Sequence, residues 1–413
     1  MKKLKSKENR KNVACKICRF AAAANIAFLA LVAFSMQACS DDSSSASGES
    51  CEGEGCVETC EGCANAATSE VFVYGTDFSA GELRWIVDEK ISEESLEFGS
   101  DTKLVAANGN LFVLEGYGAD NISLVNAETH EVEWQTALDD ASNPKDIVMA
   151  DSKTAWVALE GVEKFVKIDV NNGKVKETVK TGAFTQKDGI SPGLIDFETH
   201  GDTLFALFQR YAFDSETYNT YLPAVGLVAL YTLDKGELLD TIPLNTKNPN
   251  AMAYIDGALF VTTLGEYNDS WGTDADSKRG IEKIDLGAGI SKGDSNDDSK
   301  KSAGMAELLI DGKKLGGGIY NAAFDKKSGV IYAAIYKTMG DAPLIAYDIE
   351  SGKVKEIDIA DAEGGLFFDE DNGMLYVGDR TYGAEAVYTF DGDKVKKIEQ
   401  PKGTLAPYSI AKP

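Results

Sequence analysis

The stretch "NPKDIVMADSKTAWVALEGVEKFVKIDVNNGKVKETVKTG", residues 143–182, spells out one structural unit from beginning to end. After Pro144 come a short apolar run, the polar reversal "ADSK", a second apolar run "TAWVAL", a loop, and a third run ending near Asp169. The turn "NNGK" then leads into an alternating polar run. Runs this short, separated by turn residues, read as four consecutive antiparallel strands, A to D. The order returns in "GIYNAAFDKKSGVIYAAIYKTMGDAPLIAYDIESGKVKEIDIA" (318–360) and "EGGLFFDEDNGMLYVGDRTYGAEAVYTFDGDKVKKIEQ" (363–400).

Similar starts fall near residues 102, 144, 192, 249, 319, 363 and 406, four of them marked by Pro144, Pro192, Pro249 and Pro407. Repetition at this period predicts one sheet per start, numbered here as blades one to seven. The last start, "LAPYSIAKP", ends after a single strand, whereas "EVFVYGTDFSAGELRWIVDEKISEESLEF" supplies three strands with none before them. The two ends together make a complete blade and close a ring. The expectation is an all-β, seven-bladed propeller of four-stranded antiparallel blades over residues 70–413.

The repeat in 143–182 resembles that of the YVTN or YncE-like seven-bladed β-propellers, with its Pro-led strand, a strand like "TAWVALEG" and then "VKIDVNNGKV". The likeness covers roughly residues 70–413 at the level of the repeat. It implies the fold, and the fold hosts many unrelated activities.

Ahead of the repeats, "MKKLKSKENRKNVACKICRF" carries eight Lys or Arg and is followed by the fifteen-residue run "FAAAANIAFLALVAF". That run is short for a membrane span and suits an export signal over residues 1–38. "SMQACSDDSSS" resembles a bacterial lipoprotein cleavage site, with Cys39 as the lipidated residue; a buried or disulfide-bonded cysteine is the alternative. Asp41 and Asp42 resemble the tag that directs some lipoproteins to the cell surface. An outer-membrane lipoprotein, on the periplasmic face or the surface, is expected. Residues 39–69 form a Ser, Gly and Glu-rich tether that lacks the apolar content to fold alone. Its Cys51, Cys56, Cys60 and Cys63 fit two disulfides, a tetrathiolate metal site or a redox pair, with disulfides expected outside the cytoplasm.

The net charge is −26, and removal of residues 1–38 takes it to −33. Such a chain repels nucleic acid and anionic membranes, so membrane contact is expected through the lipid alone. The acidity suits a well-hydrated surface or, as an alternative, cation binding.

In a propeller the B-to-C and D-to-A loops share one face. The opposite face shows short polar turns, "ANGN", "ADSK", "NNGK" and "ESGK" among them, with 287–304 as the exception. The B-to-C loops are richer: "GYGADN" (116–121), "QRYAFDSETYNTYLP" (209–223), "GEYNDSWGTDADSKRG" (265–280), "YKTMGDAP" (336–343) and "DRTYGAEA" (379–386). Tyr74, Tyr117, Tyr211, Tyr267, Tyr336 and Tyr382 recur near the end of strand B in six blades. They form either an aromatic ring for a ligand or packing between blades. The residue after each repeat proline should face the central channel, which nominates Lys145, Asn250 and Tyr408, with Tyr320 at the equivalent place. The expected ligand-binding set is Lys145, Arg210, Tyr211, Tyr267, Trp271, Tyr320, Tyr336, Arg380, Tyr382 and Tyr408, with Tyr218 and Tyr221 on the longest loop.

"GISPG" (189–193) matches the hydrolase G-x-S-x-G string but lacks a strand-turn-helix setting. The two histidines, His130 and His200, fall in turns on the opposite face. "DSNDDS" (294–299) resembles the start of a calcium loop but has Met305 where the bidentate Glu belongs. No catalytic residue, metal or cofactor is expected. The reading is a monomeric binding module for a small molecule, a glycan or an envelope protein. Its alternatives are a lactonase or glycosidase-like hydrolase, a scaffold, and a ligand-capture partner of an outer-membrane transporter. Surface propellers of similar plan hand cobamide or iron-chelate ligands to such transporters.

Overall fold

Side-chain alternation within each strand decides what the strand packs against. In Thr154–Leu159, Ala155, Val157 and Leu159 join Phe112, Leu114 and Ile122 of blade one, whereas Trp156 and Ala158 point the other way and join Leu204, Ala206 and Phe208 of blade three. A sheet apolar on both faces needs a cover on both faces, and its two neighbours supply it. The same arrangement recurs between every adjacent pair of blades, giving seven inter-blade cores in a ring.

The computed structural model describes residues 70–186, 191–214, 219–286 and 304–413. It is an all-β propeller of seven antiparallel blades, five of them built from four consecutive strands, one interrupted by an added two-stranded hairpin and one joining the first and last strands of the described fold. The innermost strands are Thr102–Ala107, Pro144–Met149, Leu194–His200, Pro249–Ile255, Gly318–Asp325, Leu366–Asp369 and Pro407–Ala411. They begin within three residues of the starts read from sequence. Blade three begins two residues after Pro192, and a 3-10 turn, Ala362–Gly364, precedes blade six.

Blade seven closes the ring. Its innermost strand, Pro407–Ala411, pairs with Val71–Thr76 from the other end of the fold, with Phe72 opposite Ala411, Val73 opposite Ile410 and Tyr74 opposite Ser409. Gly81–Val87 continues outward and carries two short outer strands, Lys90–Ile91 and Leu96–Phe98. Arg380 of blade six fastens this junction: Nη1 donates to Pro407 O at 2.9 Å and Nη2 to Thr76 O at 3.4 Å, so one guanidinium holds both ends.

Tight hairpins make the opposite face. Asn108 (φ 50°) and Gly109 (φ 77°) join Thr102–Ala107 to Asn110–Glu115 as a two-residue turn, the left-handed pair for which Asn-Gly is the favoured sequence.

An innermost strand has one edge toward the channel and would leave N–H groups there without partners. Side chains of the preceding blade supply them: Asp146 Oδ2 accepts from Phe197 N at 2.8 Å, Asp196 Oδ2 from Met252 N at 2.7 Å, and Ser409 Oγ from Leu104 N at 3.0 Å.

The expected signal, Cys39, and the tether with Cys51, Cys56, Cys60 and Cys63 lie outside the described residues, as does "DSNDDS".

Candidate functional site

Because each innermost strand starts on the face that bears the B-to-C loops, its first residues surround the channel mouth. Lys145, Asn250, Tyr320 and Tyr408 all line one cavity of about 550 Å³, together with Asp101, Gly116, Asp146, Asp196 and Glu363.

On the side of blades one and two, Lys145 Nζ lies 3.4 Å from Glu160 Oε2 and 3.9 Å from Asp101 Oδ2. It also stands 5.3 Å from the centroid of the Tyr117 ring. Burial pulls the ammonium pKa down, but Glu160 and Asp101 outweigh it and the net direction is up, so Lys145 is a cation at neutral pH. Asn143 Nδ2 donates to Glu160 Oε2 at 2.6 Å, while Asn143 Oδ1 is buried without a partner among the described residues.

Blades four and five build an aromatic wall. Tyr320 stacks on Tyr336 with centroids 5.5 Å apart, Tyr267 meets Tyr336 edge-on at 5.7 Å, and Trp271 adjoins Tyr267 at 6.2 Å. The Tyr336 hydroxyl donates to Trp271 O at 2.7 Å, which fixes the loop that carries Trp271. Burial pushes the Tyr320 phenol far up and the Tyr408 phenol up to about 12, so both keep their hydroxyl protons as donors. Burial likewise raises the Glu363 carboxyl, with Asp361 adding to the shift.

A third segment lies between blades six and seven. The Arg380 guanidinium carbon is 4.9 Å from the Phe78 ring centroid and 5.7 Å from that of Tyr408. With its stronger hydrogen bond on Pro407 O, Arg380 both closes the ring and supports the aromatic rim.

The recurrent tyrosines divide by position. Tyr74 and Tyr336 lie within strands and are buried, and the Tyr74 hydroxyl donates to Gly99 O. Tyr117, Tyr211, Tyr267 and Tyr382 stand on loops, with Tyr382 98% exposed and away from the cavity. The length of the 209–223 loop comes from an added hairpin, Ala212–Asp214 with Asn219–Tyr221. Tyr218 lies outside the described residues, and only the backbone of Tyr221 is described. Tyr211 is half-buried, and Arg210 (φ 59°) beside it keeps a buried Nε without a partner among the described residues.

Asp146 and Asp196 were not singled out by the sequence reading. Both line the channel cavity, and burial raises both carboxyls, Asp196 more strongly with Asp146 adding to its shift. Lys103 opposes the shift in both. The signal was present in the repeat: the third residue of an innermost strand is polar in Pro144-Lys145-Asp146, Leu194-Ile195-Asp196 and Pro407-Tyr408-Ser409.

Ser191 of the "GISPG" string is buried, and its hydroxyl donates to the Glu160 and Val162 carbonyls. His130 pairs with Glu70 at 2.7 Å and stacks on Trp85, and His200 stacks on Tyr254.

No family model matches the chain, and no curated protein matches it. Solved structures do share its fold. The hydrazine synthase of Kuenenia stuttgartiensis superposes with a TM-score of 0.52 at 14% identity, over 78% of this chain and 95% of that one. The β-propeller domain of Myceliophteria thermophila Cps50 (Swd1) superposes with a TM-score of 0.54 at 10% identity, over 78% of this chain and 96% of that one. At these identities the likeness is one of fold.

Proposed function

We propose that this chain is a monomeric, YncE-like propeller held outside the cytoplasm by a lipid on Cys39, and that it captures a ligand across the mouth of its channel. The observation that carries the reading is the make-up of that mouth. Tyr320 lines a cavity of about 550 Å³ together with Lys145 and Asp101, and behind it Tyr336 stacks on its ring and Tyr267 meets Tyr336 edge-on, while Glu160 pairs with Lys145. Apolar walls with a few fixed polar groups are the ordinary composition of a ligand site.

Native mass spectrometry of the full chain purified from its own cells tests this. A bound mass is expected, and Tyr320→Ala with Trp271→Ala should weaken its retention by about tenfold or more. A wild-type protein that carries no ligand, or a ligand that both variants retain equally, refutes the reading.

A second reading is docking of an envelope partner on the same face. It is favoured by Tyr382 and Met339, which are 98% and 74% exposed and stand outside the cavity. Tyr382→Ser with Met339→Ser would then abolish co-purification of the partner and leave the bound mass unchanged.

A further inference from the structure

We infer that the channel cavity takes a small organic acid with a single negative charge, its carboxylate seated on Lys103. The inference rests on the cavity being a binding site, as proposed above, and adds the chemical class of the ligand.

Three lysines line the cavity, Lys103, Lys145 and Lys412, and two of them are already paired. Lys145 Nζ stands 3.4 Å from Glu160 Oε2, and Lys412 Nζ stands 2.8 Å from Asp369 Oδ2, with the Lys412 side chain only 10% exposed. Lys103 has neither an ion pair nor a side-chain hydrogen bond among the described residues.

Backbone register places that ammonium. Ser409 accepts from Leu104 N, Asp146 from Phe197 N and Asp196 from Met252 N, each reaching the residue that follows its own equivalent in the next blade. Lys103, which precedes Leu104, therefore stands on the level of Ser409, Asp146 and Asp196. Each acid has already given one oxygen to the backbone, and burial opposes the charge that would make it a counter-ion, against the pull of Lys103.

The same cavity holds further donors with nothing to donate to. The Tyr320 and Tyr408 side chains line it, and their hydroxyls make no hydrogen bond among the described residues. Both keep their protons because burial raises the phenols. Donors that are withdrawn from bulk water and left unmet are costly, so an ammonium and two phenols in one cavity suit a ligand that brings acceptor oxygens. Charge then selects among anions. One unpaired ammonium balances one negative charge. A phosphate group carries close to two at neutral pH, and the second would stand among Asp101, Asp146 and Asp196 with no cation left for it. A carboxylate supplies two acceptor oxygens for one charge.

Calorimetric titration of the full chain with acetate, butyrate and benzoate tests this, against the matching amides and inorganic phosphate. At least one acid should bind saturably, about tenfold or more tightly than its amide. Lys103→Met should weaken it about tenfold or more, and Lys103→Arg should retain it. Tyr408→Phe, which removes one donor and keeps the ring, should weaken it a few-fold. Lys164→Met, whose ammonium pairs with Asp139 outside the cavity, should leave it unchanged. An amide bound as tightly as its acid, or acid binding untouched in Lys103→Met, overturns the Lys103 seat. Phosphate bound more tightly than every acid overturns the single charge. If no acid binds while protein from its own cells retains a mass that Tyr320→Ala releases, the class fails alone; if no such mass exists either, the mouth reading fails with it.

Discussion

Asp196 and Asp146 are desolvated acids on neighbouring innermost strands of the channel. Each has one oxygen on the backbone N–H of the next blade, and burial raises both carboxyls, so both are protonated at low pH and repel each other once both ionise. A carboxyl whose folded pKa is raised contributes stability that is fully present below its ordinary value of about 4. That contribution is lost as pH rises through the raised value. Asp196→Asn keeps an acceptor for Met252 N and a donor toward Asp146 at every pH. Its Tm is expected about 2 °C above the wild type near pH 8 and no higher near pH 4, by scanning calorimetry. Curves that run parallel across that range would contradict raised carboxyls in the folded protein.

At the scale of elements, the connections between blades are held by buried acids. Glu282, on Gly280–Asp285, is fully buried. It accepts from Asn245 N at 2.8 Å, Asn245 Nδ2 at 2.9 Å, Thr246 N at 2.9 Å and the Thr246 hydroxyl. These bonds fasten the link from Leu238–Pro243 of blade three to Pro249–Ile255 of blade four. Removing the carboxylate leaves several buried donors without partners. Glu282→Ala should therefore cost on the order of 3 kcal/mol in urea unfolding, and a loss below about 1 kcal/mol would show that water replaces it. Asp120 acts alike near the mouth, accepting from Ala141 N at 2.9 Å and Asn143 N at 2.7 Å, and so positions the Asn143 side chain beside Lys145.

For the whole molecule, the decisive element is the last strand. Pro407–Ala411 covers the edge of Val71–Thr76, and Ile410 and Ala411 belong to the cores on either side of blade seven. Deleting residues 407–413 removes the innermost strand, opens a sheet edge and separates the two chain ends that Arg380 joins. The truncated chain should lose its cooperative thermal transition and elute as oligomers in size exclusion. A monomer that melts at the wild-type temperature would mean that six blades and three strands stand without closure.

The seven-bladed ring was legible in the sequence because it depends on local, repeated signals. Two-residue alternation in "TAWVAL" sets both packing faces, Asn108-Gly109 sets a hairpin, and the single strand "LAPYSIAKP" left at the end needs the three strands left at the start. The first residues of the innermost strands were legible for the same reason, which is why Lys145, Asn250 and Tyr408 could be assigned to the channel by counting from a proline, and Tyr320 from the equivalent place in its repeat. Neighbours across the channel were not legible, since they come from segments tens to hundreds of residues apart. Only the tertiary structure brings Asp146 against Asp196, lays Arg380 on both chain ends, and buries Tyr74 and Tyr336 while Tyr117 and Tyr382 stay exposed. Tyr74 and Tyr336 fall inside Val71–Thr76 and Val330–Tyr336, where neighbouring blades cover them, whereas Tyr117 and Tyr382 fall past the ends of Asn110–Glu115 and Met374–Asp379, and the recurrence of the residue type does not show on which side of a strand end it lies.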